Sequence, residues 1–110
     1  MASDHAGFVA LYRDFLADAW QTLRKLREAV QQQQPEEVRA KAHYLKSGSL
    51  ILGALMVTQD AARLEEMGRC ADVKGAEAVL EQTLQALREV QAELAERLGT
   101  TVIPAEETAA

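Results

Sequence analysis

The stretch "RAKAHYLKSGSLILGA", Arg39–Ala54, carries the reading of the whole chain. Its apolar residues do not alternate, as a half-buried strand would require. A helix turns about 100° per residue. On that wheel Val38, Ala42, Leu45, Ser49 and Leu52 fall within an arc of roughly 80°, which makes a core face. His43 lies about 140° from the middle of that arc and faces outward. One turn away are Arg39 at i−4, Lys46 at i+3 and Ser47 at i+4, with Leu50 at i+7 and Ile51 obliquely on the same side. The segment is therefore a helix, expected from Pro35 to about Leu52, with a histidine on its open face.

The flanking sequence repeats the helical pattern. Upstream, a helix is expected from Ala6 to Gln32, with Phe8, Leu11, Tyr12, Phe15, Ala19, Leu23, Leu26 and Val30 inward and Leu16 and Trp20 widening the face. Residues 1–5 read as a flexible N-terminus. Ser3 or Asp4 offers a cap for a short extra helix there. "QQQQP", Gln31–Pro35, reads as a turn, with Pro35 at the first helical position and Glu36 and Glu37 complementing the helix N-terminus. Downstream, Gly53 breaks the pattern. A third helix follows from Ala54 to about Met67, with Leu55, Ala61, Leu64 and Met67 inward. A turn at "GRCAD" has Gly68 as terminator and Asp72 as cap, and a fourth helix runs from Val73 to Leu98. Its stripe is Val73, Ala76, Leu80, Leu84, Leu87, Val90, Leu94 and Leu98. Residues 99–110 read as a disordered tail. Four amphipathic helices with short loops predict an all-α, up-down antiparallel four-helix bundle over residues 6–98.

Composition narrows the function. The chain has 110 residues, which makes one domain with a modest core, and a net charge of −5. That charge disfavours nucleic acid and anionic membranes as partners. The longest apolar run, "LILGALMV", is too short to span a bilayer, and the first residues lack the form of a signal peptide. A cytoplasmic monomer is expected. Cys70 is the only cysteine, so no internal disulfide or thiolate metal cluster can form. Neither histidine has a partner at ligand spacing, so no metal site is expected. There is no Gly-rich phosphate loop and no asparagine anywhere, so a kinase module with its own ATP site is not expected. "RLEE" and "REVQAELAER" read as solvated faces.

His43 remains as the group with chemistry to offer. Arg39 and Lys46 beside it would disfavour a proton on the ring, leaving the neutral nitrogen a nucleophile needs. Ser47, Gly48 and Ser49 lower the surface beside it, and Leu50 and Ile51 offer an exposed docking patch.

These residues resemble a known signature. "AHYLKSGSLILGA", Ala42–Ala54, is similar to that of histidine-containing phosphotransfer (HPt) domains, approximately A-H-x-L-K-G-[SA]-[SA], a short spacer, then G-A. Ala42, His43, Leu45, Lys46, Ser49, Gly53 and Ala54 fall in register, and "EEVRAKAH" and "ARLEEMGR" also have equivalents in the family. The resemblance implies a phosphorelay carrier without autokinase activity. His43 would accept the phosphoryl group through Nε2, and Lys46, with Arg39, would offset its charge. It also implies two partners, the receiver domain of a hybrid sensor histidine kinase and that of a response regulator. The resemblance further implies that the chain needs no cofactor of its own, because the receiver would bring Mg²⁺. Ser47 stands where the family has glycine, and modest tuning of transfer is expected from it. A helical adaptor that binds a partner through Leu50 and Ile51 without phosphorylation is the alternative.

Overall fold

The computed structural model describes residues 2–98, with side chains from residue 6 onward. Among them are four helices, α1 (Ala2–Gln31), α2 (Pro35–Ile51), α3 (Leu55–Arg69) and α4 (Ala76–Leu98), and no strand. Each helix packs on its sequence neighbours and α4 closes on α1, while the diagonal pairs stay apart. The result is the expected up-down bundle, and α2 with α3 is its most intimate pair.

The turns follow from local chemistry. Gln33 is left-handed (φ 53°), and the Gln34 N–H reaches back to the Ala29 carbonyl at 2.9 Å, closing the C-terminus of α1. Pro35 then starts α2 with Glu36 and Glu37 in the first turn. Gly53 (φ 77°) reverses the chain before α3. Beyond α3, Ala71 and Gly75 both have positive φ, so Val73–Gly75 form a turn and α4 begins at Ala76, three residues later than expected. Asp72 caps that turn by accepting from the Lys74 N–H at 3.2 Å and does not cap the helix itself.

The core is the predicted stripe in its central part. Leu16, Trp20, Leu23 and Leu26 of α1 meet Val38, Ala42 and Leu45 of α2, Val57, Ala61 and Leu64 of α3, and Leu80, Leu84 and Leu87 of α4. The Trp20 indole N–H donates to Gln91 Oε1 at 2.9 Å, which satisfies its one polar atom.

Three expectations fail at one end. α1 runs unbroken from Ala2, so no separate short helix precedes it. Only Gly7 weakens the helix there, and extending an existing helix costs less than nucleating another. Phe8 and Leu11 are exposed rather than inward. α1 is about 45 Å long against about 25 Å for α2, and the pairings Trp20–Gln91 and Arg27–Glu81 put Leu98 level with the third turn of α1 or the start of its fourth. The first turns thus overhang every other described helix. Leu55, also expected inward, is exposed because the buried face of α3 runs through Val57, Asp60, Ala61 and Leu64, and at about 100° per residue Leu55 points away from it. The tail, 99–110, lies outside the described residues.

One buried group works against stability. Asp60 is buried on α3 with Arg63 only at 3.8 Å, and burial pushes its carboxyl above the ordinary value, Arg63 offsetting part of this. A carboxyl raised in the folded state favours folding when protonated and loses that advantage as pH rises. Asp60→Asn is therefore expected to raise the thermal midpoint at neutral pH. The gain should shrink as pH falls through the raised carboxyl value of the folded state and be gone below the ordinary value of 3.8. Unfolding curves at both pH values measure it, and a lower midpoint at neutral pH would refute this account.

Candidate functional site

α2 presents His43 as its face predicts, with the side chain 57% exposed. The buried residues Val38, Ala42, Leu45 and Ser49 hold the opposite side of the helix to the core. Ser49 is fixed by hydroxyl contacts to the Lys46 carbonyl at 3.1 Å and to Thr58 Oγ1 at 2.9 Å, which tie α2 to the start of α3. The rotation of α2, and with it the direction of His43, is thus set by a packed face and a buried hydroxyl pair.

The partner of the ring is a residue the sequence reading passed over. Glu65 of α3 was read as part of a solvated face, yet its side chain is only 6% exposed and its Oε2 lies 2.8 Å from His43 Nδ1. Its Oε1 takes the Lys46 ammonium at 2.5 Å, and Arg69 stands 3.7 Å from Oε2. The hydrogen bond from Lys46 holds the Glu65 carboxyl below the ordinary carboxylate range. Burial acts the other way, and the His43 bond adds to the lowering. An ionised carboxylate can only accept. His43 Nδ1 must therefore donate, and in the neutral ring the lone pair is then on Nε2.

Gly68 explains how Glu65 reaches so far. A Cβ at Gly68 would lie 2.5 Å from the Arg39 nitrogen, 2.6 Å from the Pro35 carbonyl oxygen and 2.9 Å from Arg39 Cα. The two backbones therefore touch where no side chain intervenes. His43 is one turn beyond Arg39 on α2, and Glu65 is just under one turn before Gly68 on α3. In antiparallel helices those steps run the same way, so the close crossing at Gly68 delivers Glu65 to the ring.

The other expected residues divide. Lys46 joins the site through Glu65. Arg39 does not contact the ring, because its guanidinium is bound by Glu36 at 2.6 and 2.9 Å. The two cations expected to crowd the imidazole are thus each engaged by a carboxylate. Ser47 turns its hydroxyl back to the His43 carbonyl at 3.1 Å, a bond within its own helix that points away from the ring nitrogens. Gly48 faces Phe15 of α1, which lies 3.8 Å from the place a Cβ would take. Ser47 and Gly48 line a shallow cavity of about 240 Å³ between α1 and α2, together with Phe15, Thr22, Tyr44 and Ile51. Leu50 is exposed and Ile51 is 81% exposed, and Tyr44, Leu55 and Met56 are exposed apolar side chains as well.

Among the described residues no group of three or more His, Cys, Asp or Glu could hold a metal ion, and no helix is long and apolar enough to cross a membrane. What the site offers is one ring nitrogen with a free lone pair, a buried carboxylate behind it, an ammonium beside it, and an apolar apron.

Comparison with known proteins bears on the family and the fold. The Hpt domain family model matches residues 10–97. The crystal structure of histidine-containing phosphotransfer protein B (HptB) from Pseudomonas aeruginosa PAO1 superposes with a TM-score of 0.80 at 27% identity, over 84% of this chain and 80% of that one. Among curated proteins no sequence matches this one.

Proposed function

Because the chain belongs to the Hpt domain family, and is with it a histidine phosphotransfer protein of two-component signalling, we propose that His43 carries the phosphoryl group between two receiver domains. The donor is the receiver of a hybrid sensor histidine kinase and the acceptor that of a response regulator, with the protein acting as a cytoplasmic monomer. The observation that carries the reading is the Nδ1 contact with buried Glu65, which leaves the lone pair of the neutral ring on Nε2.

The steps need little from this chain beyond position and charge. Nε2 attacks the phosphorus of the donor's aspartyl phosphate. An N–P bond forms, the acyl P–O bond breaks, and its electron pair stays with the aspartate carboxylate. The divalent cation, Mg²⁺, belongs to the receiver and offsets charge on the phosphoryl oxygens. Lys46, one turn along α2, adds a cation on this side. The exposed Leu50, Ile51, Leu55 and Met56 seat the receiver beside the ring. Arg39, held by Glu36, plays a smaller part than the signature alone implies.

Receivers charged with acetyl phosphate and Mg²⁺ test the proposal, with intact mass as readout. The expected result is a gain of one acid-labile phosphoryl group. Leu50→Asp should slow loading at least about tenfold through weaker docking while leaving the fold intact. If active, charged receivers drawn from a broad panel bind the folded protein and transfer nothing, the adaptor reading replaces this one.

A further inference from the structure

Phosphorylation changes what the back of the ring must do, and Glu65 is the group placed to do it. We infer that Glu65 keeps the proton on Nδ1 of phosphorylated His43, so that the ring departs as a neutral imidazole when the phosphoryl group is handed on. This inference rests on His43 as the phosphoryl carrier.

The proton count runs as follows in the two half-reactions. Before loading, the ring has a proton on Nδ1, donated to Glu65, and a lone pair on Nε2. Loading converts that lone pair into the N–P bond and leaves a phosphoimidazolium, its Nδ1 proton still in place. On transfer, the acceptor carboxylate forms a P–O bond as the N–P bond breaks, and the bonding pair returns to Nε2. The ring that leaves is then the neutral Nδ1–H imidazole from which the cycle began. If the Nδ1 proton were lost while the phosphoryl group was bound, the leaving group would be an imidazolate, a far poorer one. Transfer would then wait for a proton from water.

Every described charge near the ring fits the carboxylate to this task. On α3, Glu65 is buried and lies 2.8 Å from Nδ1, and Arg69 flanks it while also pairing with Glu66. On α2, Lys46 holds the other oxygen of Glu65, and Arg39 is bound to Glu36. α1 reaches α2 through Asp18, which takes up the Tyr44 hydroxyl instead of the ring, and α4 does not contact α2. Glu65 is thus the one described anion in contact with the ring, and an opposite charge at hydrogen-bond distance favours the cationic form. Burial strengthens the effect by excluding water from the bond.

The test uses the full chain, loaded by a charged receiver and then separated from it. Transfer to fresh receiver is followed between about pH 6 and 9, a window that spans the ordinary histidine range near 6.5. With Glu65 in place the rate should change by less than about threefold across the window. In Glu65→Gln it should fall about tenfold per pH unit above the ordinary histidine range. Glu65→Asp, which keeps the charge but retracts it, should fall between the two. Using the same receiver throughout removes its own pH dependence from the ratio. Parallel profiles for all three proteins overturn the inference. If Glu65→Gln cannot be loaded, the ¹⁵N shift of Nδ1 in the phosphorylated wild type decides. A proton retained to the alkaline limit supports the inference, and titration in the ordinary histidine range overturns it. A wild type that never loads defeats the carrier reading itself, which is a separate outcome.

Discussion

Gly68→Ala is expected to destabilise the protein by about 3 kcal/mol or more, the upper part of the range for overpacking. Helix propensity alone predicts the opposite sign, since alanine is better than glycine inside a helix by about 1 kcal/mol. The contact geometry decides. The added methyl would sit 2.5 Å from the Arg39 nitrogen and 2.6 Å from the Pro35 oxygen. Both are backbone atoms of a packed helix, so neither can rotate away as a side chain would. α2 and α3 must part, loosening the best-packed pair in the bundle. Gly48→Ala is the matched control. Its methyl would meet the Phe15 ring at 3.8 Å, an ordinary contact, so propensity should prevail there and stability should hold or rise slightly. Urea unfolding of the three proteins measures both effects, and a Gly68→Ala protein as stable as the wild type would refute the argument.

The second large effect is chemical. His43→Gln is expected to abolish phosphoryl loading altogether, with no gain in intact mass from any charged receiver. Glutamine retains an amide that can donate to Glu65, so the buried carboxylate keeps a partner and the fold should survive. It has no ring nitrogen with a free lone pair, and the amide nitrogen is not a nucleophile at neutral pH. The other histidine, His5, serves as control, because His5→Gln should load as the wild type does. Loading of His43→Gln would place the phosphoryl group elsewhere and end the assignment.

The sequence made the helices legible because burial imposes a 3.6-residue period, and that period survives wherever a helix has a neighbour. It misled where the neighbour ends. Phe8 and Leu11 continue the stripe of α1 beyond the reach of the other described helices, and no local pattern records how long a facing helix is. His43, Lys46, Leu50 and Ile51 were legible because each property lies within α2 alone. Glu65 was not, because its meaning depends on the rotation and spacing of two helices. Its sequence neighbours, Arg63, Glu66 and Arg69, look like solvated i,i+3 pairs, and Arg69 does pair with Glu66. A signal was present all the same. Glu65 lies four residues after the core residue Ala61 and three before Gly68, on the flank of a buried stripe and one position from Leu64. A carboxylate there needs a buried partner, and a glycine just ahead admits a second backbone.

Every residue assigned to phosphate chemistry lies between Pro35 and Arg69, on one helical hairpin. α1 and α4 supply the other half of the core, and α1 adds Phe15 to the rim of the cavity. Evolution therefore meets two separate constraints along this chain. The hairpin must preserve particular atoms at particular distances, whereas the outer helices need only keep a greasy stripe of the right period. Drift, insertion or fusion to other modules should accumulate first in α1 and α4, where a new partner preference can be tried without disturbing the chemistry.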